Sequence, residues 1–152
     1  MSGGRLTIKV YSAGELVPAL ECLGAVANGT AQMGHDAAYY HAGKSEGCAI
    51  FTAFPFGFTM GEMAAWIKHG NGQKLWDELY APFGIRGFQA GSTGTQMFGW
   101  FRREIRSLAD LDGLKFRTPG NQGRVLQKLG VTPVSLPGGE IFPALQSGAI
   151  DG

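Results

Sequence analysis

Leu6-Thr7-Ile8-Lys9-Val10-Tyr11 alternates apolar and polar positions, the period of a half-buried strand. Gly14 then opens a stretch with Leu16, Leu20, Leu23 and Ala27 at helical spacing, closed by Asn28-Gly29. The pattern predicts a strand and loop over 30–37, a polar and aromatic turn through Tyr39, Tyr40, His41 and Gly43, and a strand over 50–54 ended by Pro55-Phe56-Gly57. Two helices follow, over 60–68 and 74–80, parted by Gly70-Asn71-Gly72. A strand over 85–91 leads into the small polar loop Ser92-Thr93-Gly94-Thr95-Gln96, and a further strand is expected over 97–102. After a connecting turn at Leu108-Ala109-Asp110-Leu111, a strand over 114–117 enters Thr118-Pro119-Gly120. Val125, Leu126 and Leu129 mark a helix stopped by Gly130. A strand over 131–136 and a helix over 140–147 complete the series, Pro143 being tolerated because it lies in the helix's first turn. Strands alternating with helices predict an α/β fold with mainly parallel pairing.

The 152 residues suffice for one ordinary domain and not for two complete ones. With 44% apolar and 16% charged residues the chain can bury a core. Thirteen basic against twelve acidic residues remove the electrostatic case for nucleic acid or an anionic membrane surface. The 25 glycines, where average usage of roughly 7% predicts about 11, point to tight turns and a loop-built binding site. The opening Met1-Ser2-Gly3-Gly4-Arg5 has none of the apolar core of a signal peptide. The close at Ala149-Ile150-Asp151-Gly152 reads as leading into further structure. An internal piece of a longer chain is therefore expected.

Enzyme signatures are scarce. There is no phosphate loop and no dinucleotide fingerprint, and Gly91-Ser92-Thr93-Gly94 lacks the spacing of a nucleophile elbow. His35, Asp36 and His41 lie close in sequence, yet their spacing matches no zinc pattern. Cys22 and Cys48 adjoin apolar segments, and burial is the expected role of both.

Arg117 carries more information. It ends a strand whose residues Leu114 and Phe116 are apolar, and in an open parallel sheet such ends border the ligand crevice. A guanidinium there offers a planar fork for a carboxylate. From spacing alone, an arginine paired with a surface acid is the stronger reading. Gln96 falls at a comparable rim, where its amide suits a hydroxyl, a carbonyl or a hard cation, or simply caps the loop.

Gly113-Leu114-Lys115-Phe116-Arg117-Thr118-Pro119-Gly120, and the later run from Leu136-Pro137-Gly138-Gly139-Glu140 to Leu145-Gln146-Ser147-Gly148-Ala149-Ile150-Asp151-Gly152, resemble the solute-binding proteins of TRAP transporters, the DctP family. The resemblance extends through Gly3-Gly4-Arg5-Leu6 and Gly14-Glu15-Leu16-Val17-Pro18 to essentially the whole chain, and is nearest to the branch that binds 2-oxo acids. It implies a type II periplasmic binding protein fold of two α/β lobes, here incomplete at both ends, with lobe one over 1–94 and the first part of lobe two over 95–152. It implies a periplasmic receptor, not an enzyme, that closes on a small organic acid and passes it to small and large membrane subunits, with homodimers possible in the full-length protein and no nucleic acid partner. Arg117 then becomes the arginine for the ligand carboxylate. Gln96 becomes a substrate contact and sodium ligand, and Tyr39 and Tyr40 become part of the pocket wall. No obligatory cofactor is implied beyond a sodium ion that can accompany the substrate. The rival is an enzyme on a similar scaffold acting on a small carboxylic acid, for which His35 or His41 would have to serve as acid or base. A piece of such a receptor is also expected to expose apolar surface and to be unstable alone.

Overall fold

The computed structural model describes residues 2–152; Met1, first of the opening stretch read above, lies outside the described residues. Five α-helices and two short strands are assigned among them: α1 (Cys22–Ala27), α2 (Met60–His69), α3 (Gly72–Tyr80), β1 (Lys115–Arg117), α4 (Asn121–Gln127), β2 (Thr132–Val134) and α5 (Ile141–Ser147). Short 3-10 turns connect them, at Ala19–Glu21, Ala38–His41, Glu46–Phe51 and Leu108–Leu111 among others. No helix among the described residues is long and apolar enough to cross a membrane.

Helix α2 starts where its sequence says it should. Thr59 accepts from the Glu62 backbone N–H while the Glu62 carboxylate accepts from the Thr59 backbone N–H, so two orphan donors are satisfied reciprocally. Lys68 and His69 occupy the last turn, where positive charge opposes the helix dipole. The α2–α3 hairpin packs Met63, Ile67, Trp76 and Tyr80 with Leu23 of α1, Ala38 and Cys48 into one buried cluster. Phe51 stacks on Trp76, ring centroids 4.9 Å apart, and on Trp66.

A second cluster lies entirely in the later half: Leu111, Leu114, Phe116, Leu126 and Val131, with Phe101 and Ile105 against them. It is built on a parallel β1–α4–β2 unit in which Lys115, Phe116 and Arg117 pair with Thr132, Pro133 and Val134. The chain end adds to that sheet. The Asp151 N–H donates to the Lys115 carbonyl at 2.7 Å and the Arg117 N–H to the Gly152 carbonyl at 2.8 Å, so β1 is bonded on both edges.

The helices expected over 60–68, 74–80 and 140–147 and before Gly130 are present, and the one expected from Gly14 forms only at Cys22–Ala27, but the strands expected at 6–11, 30–37, 50–54, 85–91 and 97–102 are not. Strand character is conferred by a partner, since a lone extended segment leaves its N–H and C=O groups without a ladder. Leu6, Ile8 and Val10 are 64%, 57% and 82% exposed, with no described segment paired beside them. At 50–54 the reason is different: the apolar run coils as the turn Glu46–Phe51, which buries Cys48 and Ala49 and sets Gly47 close under Leu79 of α3. A short apolar run of this kind has no period that separates strand from helix.

Candidate functional site

Phe116 and Leu114 bury their side chains under α4, so Arg117, one residue on, leaves the sheet by the other face. Its backbone is fixed by Gly152 on one edge, and the next residue, Thr118, donates to the Val134 carbonyl at 3.2 Å on the other. The half-buried guanidinium donates from Nε (3.1 Å) and Nη2 (3.0 Å) to the Leu136 carbonyl. Nη2 also donates to the Tyr40 hydroxyl at 3.0 Å, and Cζ lies 5.8 Å over the Tyr40 ring. These bonds use the Nε and Nη2 groups and leave both N–H groups of Nη1 without a protein acceptor among the described residues.

None of the ion pairs among the described residues includes Arg117. The surface ion pair favoured by spacing alone is therefore not what forms: two neutral oxygens hold the side chain and its charge is left uncompensated. The chemistry of such an arginine suits an anion, because a partly desolvated guanidinium gains most from an acceptor that carries charge.

Tyr40 reaches Arg117 from the turn Ala38–His41. The Tyr39 N–H donates to Thr52 Oγ1 at 3.2 Å, and the two tyrosine rings meet edge to face with centroids 4.6 Å apart. Burial first, and then the adjoining Tyr40 hydroxyl, push the Tyr39 phenol up to about 12, with Arg117 acting the other way. It stays neutral at ordinary pH and presents no negative charge to an incoming anion. From the other side, the turn after β1 comes so close that a Cβ on Gly120 would sit 3.1 Å from the Tyr39 Cβ.

The structure thus brings Tyr39, Tyr40 and Arg117 together across about eighty positions of sequence. Gln96 is not joined to them by any hydrogen bond among the described residues. It lies exposed in its loop, where Nε2 donates to Thr93 Oγ1 at 2.9 Å and the amide oxygen is left for another partner. One amide oxygen fits as a single ligand of a hard cation that takes about six, so this loop can contribute to such a site without constituting it.

The histidine segment divides. His35 is exposed, whereas His41 is 2% exposed and its Nε2 meets Asp36 Oδ2 at 2.6 Å. No group of three or more His, Cys, Asp or Glu among the described residues could hold a metal ion. Cys48 is fully buried and Cys22 half-buried; burial is the first cause that pushes both thiols up, with the Asp36 carboxylate second at Cys22. Neither offers an activated thiolate.

Two participants escaped the sequence reading. The Leu136 carbonyl is backbone and carries no residue-type signal at all. Asp151 was legible only as part of a motif: its Oδ2 accepts from the Lys115 N–H at 2.9 Å and its carbonyl from the Arg102 N–H, which closes the sheet beside Arg117. Gly152 next to it is required by space, since a Cβ there would lie 2.4 Å from Phe101.

Residues 1–152 in their entirety match the family described as bacterial extracellular solute-binding protein, family 7, or DctP. The chain belongs to this family. Among curated relatives, a monocarboxylate 2-oxoacid-binding periplasmic protein of Nostoc sp. is 49% identical over 151 residues, which are 99% of this chain and 42% of the relative. Among solved structures, a TRAP periplasmic solute-binding protein of Pseudoalteromonas atlantica with bound sodium and pyruvate superposes with a TM-score of 0.94 at 47% identity, covering 99% of this chain and 46% of that one. A TRAP periplasmic solute-binding protein of Colwellia psychrerythraea with bound calcium and pyruvate gives a TM-score of 0.92 at 45% identity over 99% and 46% of the two chains. The chain therefore spans about half the length of the relatives it matches. Its fold is that of the two-lobed periplasmic binding proteins, and these DctP relatives are named as solute-binding proteins, not enzymes.

Proposed function

We propose that this chain is part of the extracytoplasmic receptor of a TRAP transporter, binding a small 2-oxo acid of the pyruvate class and handing it to small and large membrane subunits. The observation that carries the reading is the half-buried Arg117 guanidinium, held by the Leu136 carbonyl and the Tyr40 hydroxyl and balanced by no carboxylate among the described residues. The 2-oxoacid and pyruvate named for the relatives supply the ligand class.

The ligand carboxylate docks on the Nη1 side of Arg117, where two donors are open, and Tyr40 and Tyr39 wall the site. Lobe one over 1–94 and the beginning of lobe two over 95–152 make the division; separate apolar clusters in the two stretches support it. Tyr40 against Arg117, Tyr39 against Gly120 and Glu46 against Arg124 are then contacts between lobes, as a closed receptor requires. Only contacts stronger in the closed state draw it closed, so groups from both lobes have to meet the ligand. A sodium ion accompanying the acid takes the Gln96 amide oxygen as one ligand and supplies positive charge beside the carboxylate.

The test is isothermal titration of pyruvate, in sodium chloride, into the full-length receptor that carries this sequence. Truncating one partner of a buried charged pair costs about 2–5 kcal/mol. Arg117→Ala should therefore raise Kd by roughly thirtyfold or more, and Arg117→Lys, which keeps charge but loses the fork, should fall between. A Kd for Arg117→Ala within about threefold of the parent would rule out this arginine as the carboxylate anchor.

A further inference from the structure

The sequence singles out Asp36 and His41, and nothing in the ligand site described above uses them. His41 has a side chain 1% exposed, and its Nε2 stands 2.6 Å from Asp36 Oδ2. Water scarcely reaches the ring, while the Asp36 side chain, 23% exposed, stays partly open to solvent. A hydrogen bond contributes only about 0.5–1.5 kcal/mol net to stability, so what the pair offers beyond that is direction. A hydrogen bond at one ring nitrogen fixes the ring's orientation, and with it the backbone that carries it.

That backbone is the tyrosine turn. His41 follows Tyr40 directly, and its carbonyl accepts from the N–H groups of Lys44 (2.8 Å) and Ser45 (3.2 Å). Two more bonds hold the front of the turn: the Tyr40 N–H to the Ala37 carbonyl at 3.0 Å, and the Tyr39 N–H to Thr52 Oγ1. Among these ties the Asp36 bond is the one made by a side chain of the turn itself. The Tyr40 hydroxyl, at the far end of a stiff ring, must reach Arg117 Nη2 at 3.0 Å. A small rotation of the turn is amplified along that ring.

We propose that Asp36 and the buried His41 form a positioning pair which, through the turn Ala38–His41, sets the Tyr40 hydroxyl against Arg117 and so sets affinity for the ligand carboxylate. This rests on the receptor reading above. The pair touches no ligand; it acts through Tyr40.

A double-mutant cycle on the full-length receptor, with pyruvate as the probe in sodium chloride, tests it. Asp36→Ala should raise the pyruvate Kd about tenfold, which is roughly 1.4 kcal/mol. In a Tyr40→Phe background the same change should add less than about twofold, because the group being positioned is gone. Asp36→Asn, which keeps an acceptor oxygen for the ring N–H, should restore Kd to within about threefold of the parent. Equal losses with and without the Tyr40 hydroxyl would assign the pair to general stability and overturn the proposal, as would an unchanged Kd for Asp36→Ala. If Asp36→Ala does not fold, His41→Gln, which keeps an amide N–H for Asp36, enters the same comparison with His41→Leu and is judged by the same criterion. Arg117→Ala measured alongside separates the two claims: if it leaves binding intact the receptor reading fails, whereas its loss with an additive cycle rejects the positioning pair alone.

Discussion

Gly120 joins the strand that carries Arg117 to helix α4, and it does so with φ 69° and ψ −152°, a region open essentially to glycine alone. A non-glycine residue held there costs about 1–3 kcal/mol. Space adds to this, because an added Cβ would lie 3.1 Å from the Tyr39 Cβ and 3.5 Å from its Cγ, tight enough that the tyrosine turn has to give. Gly84 provides the control. It has φ 66° and ψ 24°, the left-handed helical region, and nothing within 4 Å of an added Cβ. Gly84→Ala should cost only the left-handed backbone penalty, about 1–2 kcal/mol, less the few tenths or so gained by stiffening the unfolded chain. Gly120→Ala should cost about 3 kcal/mol, the glycine-only backbone plus the contact. The expected gap of about 2 kcal/mol is roughly a thirtyfold difference in folding equilibrium, well resolved by urea titration of the full-length receptor with tryptophan fluorescence. Gly120→Ala should also weaken pyruvate binding, since the residue that must move adjoins Tyr40, whereas Gly84→Ala should not. If both variants unfold at the same urea concentration, the turn after β1 is not the constraint described here.

Two further outcomes are expected. A Cβ on Gly87 would lie 2.3 Å from Cε2 of Trp76, the ring that stacks on Phe51 and meets Tyr80 edge to face, so Gly87→Ala should destabilise by about 1–3 kcal/mol in a thermal or urea melt, and Trp76→Phe in that background should recover part of it. The exposed Glu46–Arg124 pair joins positions 78 residues apart, and the hydrogen bond from Arg124 holds the Glu46 carboxyl below its ordinary 4.5. A lowered folded-state pKa means that its contribution is present at neutral pH and fades only as pH falls through that depressed value. Glu46→Gln should accordingly speed pyruvate dissociation, by roughly twofold at low ionic strength, with the effect vanishing at about 1 M salt where the Debye length is about 3 Å; stopped-flow dissociation that is no faster in the single reversal Glu46→Arg, or that the added Arg124→Glu fails to slow again, would contradict the pairing.

Local signals in the sequence were reliable where neighbours in the chain do the work. The pattern over 60–68 marks α2, Asn28-Gly29 closes α1, and the Leu114-to-Leu136 stretch reads as strand, helix and strand because its turn and stop residues sit at the junctions. What could not be read is whatever depends on a distant partner. The alternation at Leu6, Ile8 and Val10 is genuine, yet the ladder it suits is not formed by any described segment. Arg117 was legible as a charge at a strand end, but its acceptors were not: one is a backbone carbonyl at Leu136, the other a hydroxyl at Tyr40. Tyr39 and Tyr40 entered only through a family resemblance, since two adjacent tyrosines in a turn carry no chemistry of their own.

The distribution of those partners bears on how such a site would work. Each apolar cluster draws on one stretch of chain, residues 23–85 in one case and 101–131 in the other. Between them run polar or single-atom contacts: a phenol on a guanidinium, a carboxylate on an arginine, a backbone turn against a ring. Apolar interfaces hold two bodies together whatever the ligand state, whereas exposed ion pairs contribute at most about 1 kcal/mol each. If the two stretches are lobes as proposed, a join made this way would let them part and would leave the balance to be set by whatever neutralises Arg117. On the same reading an organic acid would do that, its carboxylate meeting the two open Nη1 donors while Tyr40 and Leu136 keep the others. On the receptor reading proposed above, the weak join and the uncompensated charge would serve the same end: the ligand itself would supply most of the free energy that favours the closed arrangement.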